Sequence, residues 1–298
     1  FYLTGIDKGD EVILPSHTMT ATPSSAHLHG GVPIFVDVDE EGFMNVDLIE
    51  EKITEKTKYI VPVQLNGRTS KMENILRISE KYNIKIIEDS AQGLGSKYKN
   101  KQAGTFGVAG VFSFYPAKVL GTLGDGGMLI TNDSNLAEKA KYYRDHGRNG
   151  LECEIWGRNS RLDNIHAAFL SFQFKSFEKK IKTRKNIANM YYEELEKISE
   201  IKLPSKDDKD HYNTYQNFEI TCERRDDLKS FLNKNSVGTI IQWGGKAVHQ
   251  FENLFDTKIS LSSTEKYFER CLMLPMNDML SEMQVEYVIN KIKEFYKR

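Results

Sequence analysis

The spacing of apolar residues changes along the chain and divides it near residue 180. In the first half, short apolar runs at 11–14, 32–38, 58–65, 84–88, 108–114 and 127–131 read as strands. Segments of helical spacing lie at 22–31, 47–53, 70–82 and 135–145. The helix at 70–82 is the most explicit. Ser70 and Glu73 have capping-box spacing, and Met72, Ile75, Leu76 and Ile78 form an apolar stripe. Asp47 and Glu50 open the helix at 47–53 in the same way, and Gly30-Gly31 closes the one at 22–31.

The second half has a different rhythm. Residues 161–198 read as one long helical stretch, rich in Lys and Glu, with Leu170, Phe174, Phe177 and Ile181 on one face. Strands are expected at 212–220 and 237–243, flanking a helix at 226–235. A last amphipathic helix opens at Ser281, with Gln284 as its capping partner, and runs through Tyr287, Val288, Ile292 and Phe295. Strands alternating with helices predict a mainly parallel sheet covered on both faces, with ligands at the carboxyl ends of its strands. The expectation is an α/β large domain over residues 1–180 and a smaller α+β domain over 181–298.

Composition narrows the function classes. Hydrophobic residues make up 39% of the 298 and charged residues 28%, as in ordinary globular proteins. The formal net charge is −1 and no long block of one sign occurs, which argues against nucleic acid or a membrane surface as partner. No apolar stretch approaches the roughly 20 residues that span a bilayer. Cys153, Cys222 and Cys271 are odd in number and form no C-x-x-C pair, so a reduced, cytoplasmic protein is expected. The chain opens without Met, and residues 1–5 look like a helix end closing on Gly5, so a preceding segment is expected.

Two stretches carry candidate chemistry. In Ile86-Ile87-Glu88-Asp89-Ser90-Ala91-Gln92, an apolar strand delivers two carboxylates to its end. Asp89 suits a helix N-cap after a strand, and it equally suits pairing with a protonated ring nitrogen in a cofactor enzyme. In the second stretch, a strand ending near Ser113 is followed by Lys118 and by Gly121, Gly124, Gly126 and Gly127. A desolvated lysine in such a loop suits reaction with an aldehyde; a surface lysine beside a turn is the plain alternative. His17, His27 and His29 cluster, but their spacing matches no standard zinc site, and no metal is expected.

Together with residues 9–13, 18–22 and Asn159-Ser160-Arg161-Leu162-Asp163, these stretches resemble the DegT/DnrJ/EryC1/StrS family. Most of its members are sugar aminotransferases of the type I pyridoxal-phosphate (aspartate-aminotransferase-like) fold. The resemblance implies pyridoxal 5'-phosphate as cofactor, with Lys118 as the Schiff-base lysine and proton shuttle. It implies that Asp89 pairs with the pyridine nitrogen, Gln92 with the phenolic oxygen and Ser113 with the phosphate. Asn159 would reach the phosphate of the neighbouring subunit in a homodimer with shared active sites. Family members with His in place of the lysine act as dehydratases, so Lys118 implies transamination.

The sequence departs from the family pattern at several points. Met19 stands where an aromatic residue covers the cofactor ring, and a polarizable sulfur can still cover that face. Gln64 replaces a usual His, the segment 241–249 lacks the usual Tyr-Pro before its His, and the Gly-Thr/Ser-x-Ala phosphate loop is missing. His249 is a substrate-site candidate by resemblance. Trp243 and Lys246 suit contact with a sugar or phosphate, and equally a packed indole and a solvated lysine. Arg161 suits phosphate or carboxylate recognition, and equally an interface ion pair.

The expected activity is transfer of an amino group from glutamate to the keto group of a nucleotide-linked deoxy sugar, for surface polysaccharide or glycan synthesis. Two alternatives stand beside it: the same transfer to a small phosphorylated ketone such as dihydroxyacetone phosphate, and a non-catalytic binding or regulatory homologue.

Overall fold

Val12, Ile13 and Leu14 are all buried although alternate side chains of a strand point to opposite faces. A strand of this kind needs cover on both sides, which is the signature of a central parallel sheet. The computed structural model, which describes residues 1–297, contains that sheet. Its strands are β1 (Glu11–Pro15), β2 (Val32–Val36), β3 (Thr57–Ile60), β4 (Lys85–Asp89), β5 (Ala109–Ser113) and β6 (Gly127–Ile130). They lie in the order β2-β1-β3-β4-β5-β6, parallel except for the antiparallel β5–β6 pair.

The helices are α1 (Ala21–His27), α2 (Met72–Tyr82), α3 (Ser134–Tyr143), α4 (Asn164–Phe174), α5 (Phe177–Leu195), α6 (Arg225–Lys234), α7 (Ser262–Arg270) and α8 (Glu282–Tyr296). Met72, Ile75 and Ile78 of α2 pack on Ile13, Ile60 and Ile86 on one face of the sheet. Each buried side chain of that stripe contributes ~2 kcal/mol. Val12, Leu14 and Ile87 on the other face pack with Ala26 of α1 and with Val248 and Leu261 from late in the chain. A second core joins α5, α6 and α8 to an antiparallel sheet of β7 (Ile201–Lys202), β8 (Phe218–Cys222) and β9 (Cys271–Leu274). Helix α5 crosses residue 180 without interruption. Among the described residues no helix is long and apolar enough to cross a membrane.

Several local expectations change. The helix at 47–53 is two 3-10 turns, Val46–Leu48 and Glu50–Lys52, and Asn45 rather than Asp47 caps the first. Ser70 does not cap α2: its main-chain N–H donates to Gln64, while Glu73 pairs with Lys99. The stretch 161–198 is two helices, broken at Lys175 and Ser176. The strand expected at 212–220 is split into His211–Tyr212, which pairs with Lys97–Tyr98, and Phe218–Cys222, and residues 237–243 make a single bridge, Ile240 to Met273. Trp243 and Gly244 there have positive φ, which ends strand geometry. The Ser281–Gln284 capping box on α8 is present.

Candidate active site

Asp89 is the last residue of β4 and Ser113 the last of β5, and the two strands are neighbours. The parallel pairing therefore brings both side chains to one edge of the sheet. Asp89 accepts a 2.6 Å hydrogen bond from Thr22 of α1 and a 3.0 Å bond from the N–H of Ala91. Each oxygen thus has one protein donor and keeps capacity for another. The neighbouring Glu88 points the other way and is fully buried, accepting from Gln64 and from the N–H groups of Gly104, Phe106 and Gly107. Burial pushes its carboxyl up, against those donors. Glu88 and Gln64 thereby tie β4 to the turn before β5.

Lys118 sits on the loop after β5, anchored by buried Phe114, Val119 and Leu120 against α4 and α5. Burial pushes its amine down, and the nearby negative charge of Asp89 opposes that. More of the amine is therefore neutral and nucleophilic than in an exposed lysine. The loop is held from the second core: the Gln216 side chain accepts from the N–H of Val119 at 2.8 Å and donates to the carbonyl of Ala117 at 2.9 Å. Gln92 lies just past β4. Its Oε1 accepts from the N–H of Asn66, and its Nε2 donates to Gln242, leaving one N–H uncommitted.

Met19 is 56% exposed, on the approach to α1 between Thr18 and Thr22, whose hydroxyls are hydrogen-bonded. Asn159 is exposed and bridges to Asp145 through its backbone. Arg161 pairs with that same Asp145, as does Arg148 at 2.9 Å. Trp243 is half-buried and packs edge-on against His17 at 5.4 Å. His249 is buried: its Nδ1 lies 2.7 Å from the Ser16 hydroxyl and its Nε2 3.3 Å from Glu265. A neutral ring satisfies both, accepting from Ser16 and donating to Glu265, and burial pushes its pKa down. Lys246 is exposed and shares with His249 a cavity of about 560 Å³ whose lining includes Gln250, Phe255 and Glu265 but not Asp89 or Lys118.

Thr22, Gln216, Gln242 and Glu219 were not read from the sequence. Thr22 had a signal, lying in a stretch that resembles the family. The other three act across 97 to 176 residues of chain, where no spacing pattern reaches.

A carboxylate, an amide N–H, a hydroxyl and a depressed amine therefore lie at two neighbouring strand ends and on the loops that follow them. That set suits a ligand with a basic ring nitrogen, an oxygen acceptor, an anionic tail and an aldehyde. The sequence profile of the DegT/DnrJ/EryC1/StrS aminotransferase family matches residues 2–293. The chain belongs to that family. Sugar aminotransferases are among its homologues, and its fold is that of the type I pyridoxal-phosphate aminotransferases. It is 38% identical to the Geobacillus stearothermophilus "pleiotropic regulatory protein" over 98% of this chain and 80% of that one. It is 35% identical to GDP-perosamine synthase of Escherichia coli O157:H7, again over 98% of this chain and 80% of the relative. The structure of NtdA from Bacillus subtilis with bound cofactor PMP superposes with a TM-score of 0.92 at 29% identity, covering 100% of this chain and 70% of that one. The cofactor of this aminotransferase family is thus pyridoxal phosphate, alternating with its amine form.

Proposed function

We propose that this family member transfers an amino group from glutamate to the keto group of a nucleotide-linked deoxy sugar that feeds polysaccharide or glycan synthesis. The observation carrying the chemistry is the partly buried Lys118 amine, on the loop after β5 and within the field of Asp89 at the end of the neighbouring strand. The acceptor class rests on relatives named for nucleotide-sugar products, GDP-perosamine synthase among them. Bound pyridoxal phosphate supplies a carbonyl that captures the donor's amino group and a ring that holds the electron pair released at the donor carbon.

The protein's own groups do the rest. Asp89 holds the ring nitrogen and keeps it protonated by its negative charge. Ser113 donates its hydroxyl to the phosphate, and Gln92 its spare N–H to the phenolic oxygen. Lys118 would hold the cofactor's aldehyde carbon and, once free, would serve as the general base and acid that carries the proton at the donor carbon. Met19 would cover the ring face. His249, by resemblance, and Lys246, Trp243 and Arg161, by residue type, are the candidate acceptor-side residues; the cavity that His249 and Lys246 share does not include Lys118.

The working unit is a homodimer with shared active sites. Leu123, Leu151, Trp156, Ile165, Phe172 and Phe174 are all more than half exposed, and Asn159 lies among them in sequence. Apolar exposure of this density supports a covered face. The same proposal places the cofactor-binding domain at 1–180 and the small domain at 181–298, as the separate core around α6 and α8 supports.

The test is amino transfer from glutamate to a panel of nucleotide-linked keto sugars and to dihydroxyacetone phosphate, with products identified by mass spectrometry. Amination of the small ketone alone replaces the sugar reading. A regulatory, non-catalytic role is the second reading, favoured by the name of the 38% relative. Loaded protein whose visible band ignores every donor tested would support it and sink the enzyme.

A further inference from the structure

Gln92 is held by a chain of buried side chains that ends on a carboxylate of the small-domain sheet. Glu219 of β8 is 2% exposed and accepts three hydrogen bonds. Its Oε1 accepts from Gln242 Nε2 at 3.0 Å; its Oε2 accepts from Asn66 Nδ2 and from the Tyr267 hydroxyl, both at 3.0 Å. Each neighbour presents a donor to it. Gln242 commits both N–H bonds of its amide, one to Glu219 and one to Asn66 Oδ1 at 2.9 Å. Its oxygen is then the atom left to face Gln92, and it accepts from Gln92 Nε2 at 3.2 Å.

The second arm runs through Asn66. Its side chain is fixed by Glu219, Gln242 and Asn217, and its backbone is in the left-handed region at φ 59°. That posture aims the main-chain N–H of Asn66 at Gln92 Oε1, 2.8 Å away. Both arms start at Glu219 and agree on one orientation of the Gln92 amide, oxygen inward and one N–H free.

We propose that Glu219 and Gln242 are positioning residues that fix the Gln92 amide with its nitrogen toward the cofactor. The inference rests on the assignment of Gln92 as a cofactor contact. It makes a small-domain residue part of the setting of the cofactor site. In Glu219→Gln, a donor replaces an acceptor at one end, so the side chains of Gln242 and Asn66 lose the shared anchor that holds the Gln92 amide in place. In Gln242→Met, the length is kept and the acceptor for Gln92 is lost.

The test measures pyridoxal-phosphate affinity by fluorescence titration and the pH midpoint of the visible band, in Glu219→Gln, Gln242→Met and Gln92→Ala. Circular dichroism checks folding. A lost N–H at the phenolic oxygen strengthens the pull on the imine proton, so the midpoint should rise. The expected result is a three- to tenfold weaker affinity, on the order of one hydrogen bond, and an upward shift of the midpoint in all three. A general loosening of the fold would weaken affinity without moving the midpoint. Gln92→Ala shifted but the other two unshifted would overturn this proposal and leave the Gln92 assignment standing. Gln92→Ala itself unshifted would overturn both.

Discussion

The two sides of the cofactor site are built differently. Asp89, Ser113 and Lys118 come from consecutive strand ends within 30 residues, and local pattern alone put them at the edge of a sheet. Gln216, Glu219 and Gln242 come from the small-domain chain; Gln216 holds the backbone on either side of Lys118, and Glu219 and Gln242 hold Gln92 and Asn66. The first side supplies reacting groups; the second supplies hydrogen bonds that hold them. A strand-end group can be placed by a repeating fold, whereas its orientation needs contacts from a distant part of the chain.

Variants separate the two sides. Lys118→Ala should have the largest effect, cutting transamination by about 10²- to 10⁴-fold as for loss of a general base, with the fold intact by circular dichroism. Retained turnover would remove Lys118 from the chemistry. Asp89→Asn should lower turnover about 10²-fold, on the scale of one preorganised electrostatic contact, with cofactor still bound. An unchanged rate would return Asp89 to a structural role with Thr22 and Ala91.

On the other side, Gln216→Leu removes two hydrogen bonds and strands the buried N–H of Val119. It should cost about 2 kcal/mol and lower Tm by several degrees, with a smaller loss of rate than Lys118→Ala. A rate loss as large as that of Lys118→Ala would erase the distinction between reacting and holding groups.

The smallest effect concerns His17, which lies beside Glu219. Its ring is fully buried, donates from Nδ1 to the carbonyl of Gly42 at 2.8 Å, and is held neutral by burial. The unfolded chain takes up a proton near pH 6.5 that the folded chain refuses. Stability should therefore be level above that pH and fall as pH drops toward 5, approaching about 1 kcal/mol per pH unit from this group. Denaturant midpoints at pH 7.5, 6.5 and 5.5 read it, and His17→Gln should flatten the slope. An equal slope in that variant would assign the loss elsewhere, with His249 next in line.

Much of the sheet was legible because its strands are apolar on both faces and punctuated by Gly, Pro and Asp. The α8 cap was legible because Ser281 and Gln284 act within one turn. Ser70 and Glu73 have the same spacing, yet tertiary partners claim both: Gln64 takes the Ser70 N–H and Lys99 takes Glu73. The region 237–243 was misread because apolar residues there follow strand spacing, while Trp243 and Gly244 adopt positive φ and Gln242 bonds Glu219. Gly67 is a similar case. Its φ is +79°, and a Cβ there would collide with the main-chain nitrogens of Tyr215 and Gln216. No pattern in sequence marks such an approach between residues so far apart.

The most direct test is to load the protein with pyridoxal phosphate, reduce it with borohydride and map the labelled peptide. A single pyridoxyl label on Lys118 is the expected result. A label on another lysine, or none on protein that has bound the cofactor, would contradict the assignment on which the site rests.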